Sequence, residues 1–143
     1  MATPILGMTE MTEGQSDKYV TFNEALAILD AQAVYMIGMT FVGTPIEDEV
    51  IVSHPAAITF NLPASLTDSQ FKAGVAATAE TIFTLEKNGG SIGTVTFAIA
   101  GTSGSISFTA ATAFAVGDIL TIVAPAVRDD TIADLGFTIK GTR

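Results

Sequence analysis

From Ile46 onward the apolar side chains alternate with polar ones in short blocks, and Gly, Pro, Asn or Asp closes each block. A period of two places every second side chain on one face of an extended chain, so a run of such blocks can bury its apolar faces only by stacking sheets. "ETIFTLEKNGGSIGTVTFAIA" is the clearest case: Phe83 and Leu85 alternate before Asn88-Gly89, and Val95, Phe97 and Ile99 alternate after it. Asn-Gly accepts the positive φ angles of a two-residue turn, so this stretch predicts a β-hairpin. The same pattern predicts strands at Glu49–Ser53, Ala57–Leu62, Thr81–Lys87, Gly93–Ala100, Ser105–Thr109, Ile119–Ala124 and Phe137–Lys140. Residues 66–80 are Ala-rich and fit a helix or an irregular edge strand; Phe71, Gly74 and the small alternating residues favour the strand. Short strands with turns every ~8–12 residues predict a mainly β fold, an antiparallel β-sandwich of jelly-roll-like form.

The front of the chain differs. Residues 1–20 hold Pro4, Gly7 and Gly14 with no helical or strand period, which predicts an extended arm that orders against a partner. Thr21 and Glu24 then form a capping box, with a hydroxyl for the first free amides and a carboxylate reaching back. Behind it Phe22, Leu26, Leu29, Ala33 and Met36 are spaced 4, 3, 4 and 3, the seam of a coiled coil. The stretch Lys18–Gly38 is therefore expected to be one amphipathic helix whose stripe meets its own copies or the sandwich behind it. This divides the chain into residues 1–43, arm plus helix, and 44–143, the β-sandwich domain.

Composition narrows the function. Six Lys and Arg against fifteen Asp and Glu give a formal charge of −9, which disfavours a nucleic-acid surface because phosphates need clustered bases. The apolar run Ala33–Val42 falls far short of the ~20 residues that span a bilayer, so no membrane insertion is expected. The first residues lack the basic start and apolar core of a signal peptide. There is no cysteine, which removes disulfides, thiolate metal sites and cysteine nucleophiles together.

Candidate chemistry is sparse. His54 is the only histidine, precedes Pro55, and has no second ligand or nucleophile motif beside it, so it reads as a strand-end residue. Asp129, Asp130 and Asp134 in "VRDDTIADLG" do not keep the spacing of a calcium loop and read as turn acids, with Arg128 pairing locally. "AGTSGSIS" lacks the lysine of a phosphate loop, and Glu47, Asp48 and Glu49 read as a solvated loop. No catalytic residue, metal ligand or cofactor is expected, and the chain is read as non-enzymatic.

Two stretches carry a resemblance. Thr3, Pro4, Leu6 and Gly7, then Gly14 and Gln15, then Val20, Thr21, Asn23, Glu24, Ala25, Leu26, Leu29 and Asp30 are similar to the N-terminal segment of a family of phage and prophage virion proteins, often found at the front of tail-fibre-like chains. Phe60 to Pro63, Asn88-Gly89, Gly93, Phe97, Gly117-Asp118, Pro125 and Gly141-Thr142-Arg143 resemble a β-sandwich module of phage structural proteins. The family pattern departs at Ile5 and at Ser16-Asp17.

The resemblance implies a virion component, assembled in the host bacterial cytoplasm and built as a homotrimer. It implies a fibre or fibre-adaptor on tail or head, with Phe22, Leu26, Leu29, Ala33 and Met36 as the oligomer interface. Pro4, Ile5, Leu6, Met8 and Met11 would anchor it to a neighbouring tail, portal, collar or capsid protein. A capsid decoration or cement protein is the near alternative, favoured by the short chain. A carbohydrate-binding module meeting a host surface glycan is the distant one, weakened by the absence of Trp.

Overall fold

A computed structural model describes residues 2–3, 8–9, 24–29 and 33–143. Two short strands, β1 (Ala2–Thr3) and β2 (Met8–Thr9), pair antiparallel, and residues 24–29 form a helix, α1. The body follows as β3 (Val34–Phe41), β4 (Val50–Pro55), β5 (Phe60–Leu62), a 3-10 turn at Ala64–Leu66, β6 (Gln70–Val75), β7 (Thr81–Lys87), β8 (Gly90–Phe97), β9 (Gly104–Ser107), β10 (Thr112–Phe114), β11 (Ile119–Val123) and β12 (Ala133–Thr142).

These strands form two antiparallel five-stranded sheets. One has the order β10-β5-β12-β3, with β6 also paired to β12; the other runs β4-β11-β7-β8-β9. The expected β-sandwich is therefore present. The strand β12 is the spine of the first sheet. One of its edges carries β3 from Phe41 opposite Leu135 to Val34 opposite Thr142. The other carries β6 from Val75 opposite Ala133 to Gln70 opposite Thr138, and then touches β5 at Asn61. Its inward residues Leu135, Phe137 and Ile139 are buried, followed by Gly141. A Cβ at Gly141 would stand 2.6 Å from the Asn61 carbonyl oxygen, so the missing side chain is what lets β5 approach the end of the spine.

The second sheet is organised by the β7–β8 hairpin. Asn88 and Gly89 take φ values of 51° and 82°, the paired positive angles of a tight turn, as Asn-Gly predicts. Phe83 and Leu85 on β7 and Val95 and Phe97 on β8 then point into one core with Phe60, Phe71, Phe108, Phe114 and Phe137 from elsewhere. Seven of the nine phenylalanines are spent there, and the other aromatic side chains among the described residues, Tyr35 and Phe41, are half-buried. Burying a side chain of this size stabilises by about 1.5–3 kcal/mol, so this cluster is the main apolar contribution to the fold.

The expected helix Lys18–Gly38 needs correction. The described helix covers only residues 24–29, and Val34–Phe41 is a strand. The heptad spacing of Ala33 and Met36 coexists with a second pattern, Tyr35, Ile37, Met39 and Phe41, which alternates. These four face the core side of β3 while Val34, Met36, Gly38 and Thr40 face out. β-branched and aromatic residues suit that pleated surface, and the open edge of β12 supplies the hydrogen bonds. The sandwich consequently begins at Val34, ahead of the expected boundary at residue 44.

Candidate interaction surfaces

The five proposed seam residues do not share one element. Phe22 lies outside the described residues. Leu26 is 2 % exposed but is not part of the sandwich core, whereas Leu29 on the same helix is 54 % exposed, with Ile28 exposed beside it. Ala33 precedes β3, and Met36 stands on the outer face of that strand, 53 % exposed. A helical stripe through all five is thus replaced by two consecutive pieces, a short helix with exposed Ile28 and Leu29 and an edge strand with exposed Val34 and Met36. Of the proposed anchor residues, Pro4, Ile5, Leu6 and Met11 lie outside the described residues. Met8 belongs to β2, opposite Thr3.

The residues with potential chemistry are engaged internally. His54, on β4, has its Nε2 2.9 Å from the Tyr35 hydroxyl on β3, so the pair ties the two sheets together at their open edge. Tyr35 stacks on Phe60 at 4.5 Å between ring centroids, and Phe60 stacks on Phe114 at 4.7 Å. A hydrogen bond between rings already packed this way fixes both, as expected of a strand-end histidine with a structural partner.

Asp129 differs most from its expected role as a solvated acid. It is 7 % exposed. Its Oδ2 accepts from the Thr78 N–H (2.9 Å), the Thr78 hydroxyl (2.8 Å) and the Ala79 N–H (2.8 Å). Its Oδ1 accepts from the Thr131 N–H (2.9 Å), the Thr131 hydroxyl (2.5 Å) and the Ile132 N–H (2.9 Å). Burial by itself would raise the pKa, but the hydrogen bonds from Thr131, Thr78 and Ile132 together outweigh it and hold the carboxyl far below the usual aspartate range. The carboxylate thereby joins two loops about fifty residues apart in the chain. Asp-x-Thr is a local turn signal visible in sequence, but nothing local points to Thr78.

A second carboxylate, Asp118, organises the opposite end. Its Oδ1 accepts from Asn88 Nδ2 (2.8 Å), and its Oδ2 accepts from the Ala115 N–H (2.9 Å) and pairs with Lys87 Nζ at 3.0 Å. The Asn88 side chain, the Ala115 amide and Lys87 bring its pKa down to about 2. Arg128 pairs with Asp130 at 2.7 Å, the local pairing expected for it.

The two ends of the sandwich are chemically unlike. Ala33 and Arg143 meet at one end, where the Arg143 N–H donates to the Ala33 carbonyl. Loops 42–49, 76–80, 98–103 and 124–132 gather at the other. They are stitched together by Asp129, by Asp48 N–H to the Pro125 carbonyl, by Ala100 N–H to the Ala77 carbonyl, and by the Gly43 N–H to Asp134 Oδ1. The outer face of the first sheet carries a separate shallow depression of about 470 Å³, floored by Gly38 and Gly136 and flanked by Gln70, Lys72 and Thr138. Among the described residues no Phe or Tyr is exposed, no group of three acids or histidines is placed to hold a metal, and no helix is long and apolar enough to cross a membrane.

Comparison with protein-family models and with curated proteins finds no match.

Proposed function

We propose that the chain is a non-enzymatic phage virion structural protein of fibre or fibre-adaptor type, on tail or head, assembled as a homotrimer through the region around α1 and the start of β3. The observation that carries this reading is the apolar surface left outside a core that closes without it: Ile28 and Leu29 on α1 and Val34 and Met36 on β3 are exposed beside a completed sandwich. Side chains that could do chemistry are instead bonded within the fold, His54 to Tyr35 and Asp129 to six donors, which favours a scaffold over a catalyst. The resemblance of residues 3–30 to phage virion segments supplies the setting, with a neighbouring virion protein as partner of the arm.

Replacing Leu29 and Met36 together with Asp is expected to convert a trimer to a monomer in light scattering, because burying unpaired carboxylates in an interface costs several kcal/mol, roughly speaking. An unchanged mass would sink the proposed seam. Deleting residues 1–20 is expected to leave the oligomer intact and abolish incorporation into particles; full incorporation would remove the arm as the anchor. Copy number per particle separates fibre-adaptor from decoration protein, a few copies at one vertex against hundreds across the capsid. The glycan-binding alternative is disfavoured by the burial of seven phenylalanines, since sugar faces stack on exposed rings.

A further inference from the structure

We propose that the loop end away from Ala33 and Arg143 is a docking surface for a protein partner that presents an apolar centre rimmed by Lys and Arg. Two properties of that end combine. The first is apolar: Val42 is 86 % exposed and Val127 84 %, and Ile46, Ile99 and Val75 on the adjoining loops or strand end are exposed too. Scattered exposed aliphatics are ordinary, but here the tips of three loops all end in one.

The second property is charge. Residues 33–143 contain ten acids and five bases; Glu47, Asp48, Glu49, Glu80, Asp129, Asp130 and Asp134 lie at this end, with Arg128 on its loops and Lys72 reaching in to donate to Ser103 Oγ at 2.6 Å. The formal side-chain charge is therefore −5 at the loop end, and three acids against three bases leave none on the rest of the sandwich. Both local bases are already engaged, Arg128 with Asp130 and Lys72 with Ser103.

The occupant follows from this combination. A second copy docked end to end would bring −5 against −5, and anionic lipid headgroups meet the same repulsion. A basic surface is attracted, and the apolar tips add contact that pure charge would not provide. Ile46, Glu47 and Arg128 line an open cleft of about 290 Å³ in this region. A lysine there can lay its methylene stem along Ile46 and set its ammonium by Glu47. The loops need little ordering to bind, because Asp129, Asp134 and Glu49 already fix their backbones through hydrogen bonds. The proposal is independent of the virion reading and would hold for any host particle.

The test is a titration of the full-length, isotope-labelled chain with three synthetic probes, followed by amide NMR: an amphipathic Lys-Leu peptide, its Glu-Leu counterpart, and a Lys-Gly peptide of equal charge. The Lys-Leu probe is expected to shift amides of residues 42–50, 98–101 and 125–131, with affinity falling at least tenfold from 50 to 300 mM salt. The Glu-Leu probe is expected to leave them unmoved, and Lys-Gly to bind at least tenfold more weakly than Lys-Leu. Val42→Ser with Val127→Ser is expected to reduce Lys-Leu affinity at least fivefold while the remaining amide spectrum stays dispersed. Equal binding of Lys-Gly and Lys-Leu, shifts confined to the outer sheet face around Gly38 and Gly136, or self-association that the double variant abolishes would each overturn the proposal. So would binding of anionic phosphatidylglycerol vesicles through the same residues.

Discussion

Asp129→Asn tests whether one buried carboxylate holds the loop end together. The substitution keeps size and shape but replaces one acceptor oxygen with a donor. Rotating the amide so that its oxygen still serves Thr131 and Ile132 leaves the amine facing the N–H groups of Thr78 and Ala79. The Thr78 hydroxyl can turn and accept, and the Thr78 N–H keeps a second acceptor in the Thr131 hydroxyl oxygen at 3.1 Å, but the Ala79 N–H is left without one. One unsatisfied donor costs about 1–3 kcal/mol, and that is the expected loss. For a domain of this size that corresponds to a fall in Tm of roughly 3–12 °C, read by calorimetry at pH 7.

The pH dependence provides an internal control. An unfolded aspartate titrates near its ordinary value of about 4, whereas folded Asp129 is held far below it, so the unfolded chain binds more protons across the acid range. The stabilisation is complete above that ordinary value and is lost progressively as pH falls below it toward the depressed folded value. The gap in Tm between the native protein and Asp129→Asn should therefore narrow from pH 6 to pH 2. A variant that melts within 2 °C of the native protein at pH 7, or a gap that does not change with pH, would refute the reasoning.

Two further substitutions address the packing. Gly141→Ala should lower the urea midpoint by an amount equivalent to about 1–3 kcal/mol, since the new Cβ meets the Asn61 carbonyl and β5 must move away from β12. Tyr35→Phe keeps the ring stacked on Phe60 but removes the hydroxyl that meets His54, and a loss of about 0.5–1.5 kcal/mol in the same assay is the expected outcome.

The legible parts of the fold are those where a local rule and the tertiary arrangement agree. Asn88-Gly89 with its flanking alternation gave β7 at Thr81–Lys87 to the residue, because turn chemistry and core facing select the same register. The ambiguous stretch at 66–80 contains the favoured strand, β6, which β12 recruits along its second edge. Elsewhere two patterns competed. Around Ala33 and Met36 a heptad overlay a strand alternation, and only the presence of β12, about a hundred residues away, decides for the strand. Strand β10 has three residues, too few for a period, and its place is set by pairing with β5, where Phe114 stacks on Phe60.

The candidate surfaces were less legible than the strands. Exposed Leu29 was visible as an apolar position, but apolarity alone does not distinguish it from buried Leu26 three residues earlier. The charge asymmetry was hidden for another reason: its seven acids come from four separate stretches of sequence that only the topology gathers at one end.

The placement of β12 also has a kinetic consequence. The first sheet consists of strands that each pair with β12 or with a neighbour of it, and Val34 must find Thr142 across almost the whole described chain. Such non-local pairing folds slowly, in milliseconds to seconds, because a long loop must close before any contact rewards it. In the second sheet β7, β8 and β9 follow one another in the chain and can pair as soon as they exist, whereas β4 waits for β11 about sixty-five residues later. Until β12 arrives, the uncharged run from Ala31 to Ile46 has no partner strand and no charge to keep it from other copies. Overexpression should therefore strain this protein from the emergence of β3 until the docking of β12, and cooler growth, which weakens apolar association, should raise its soluble yield.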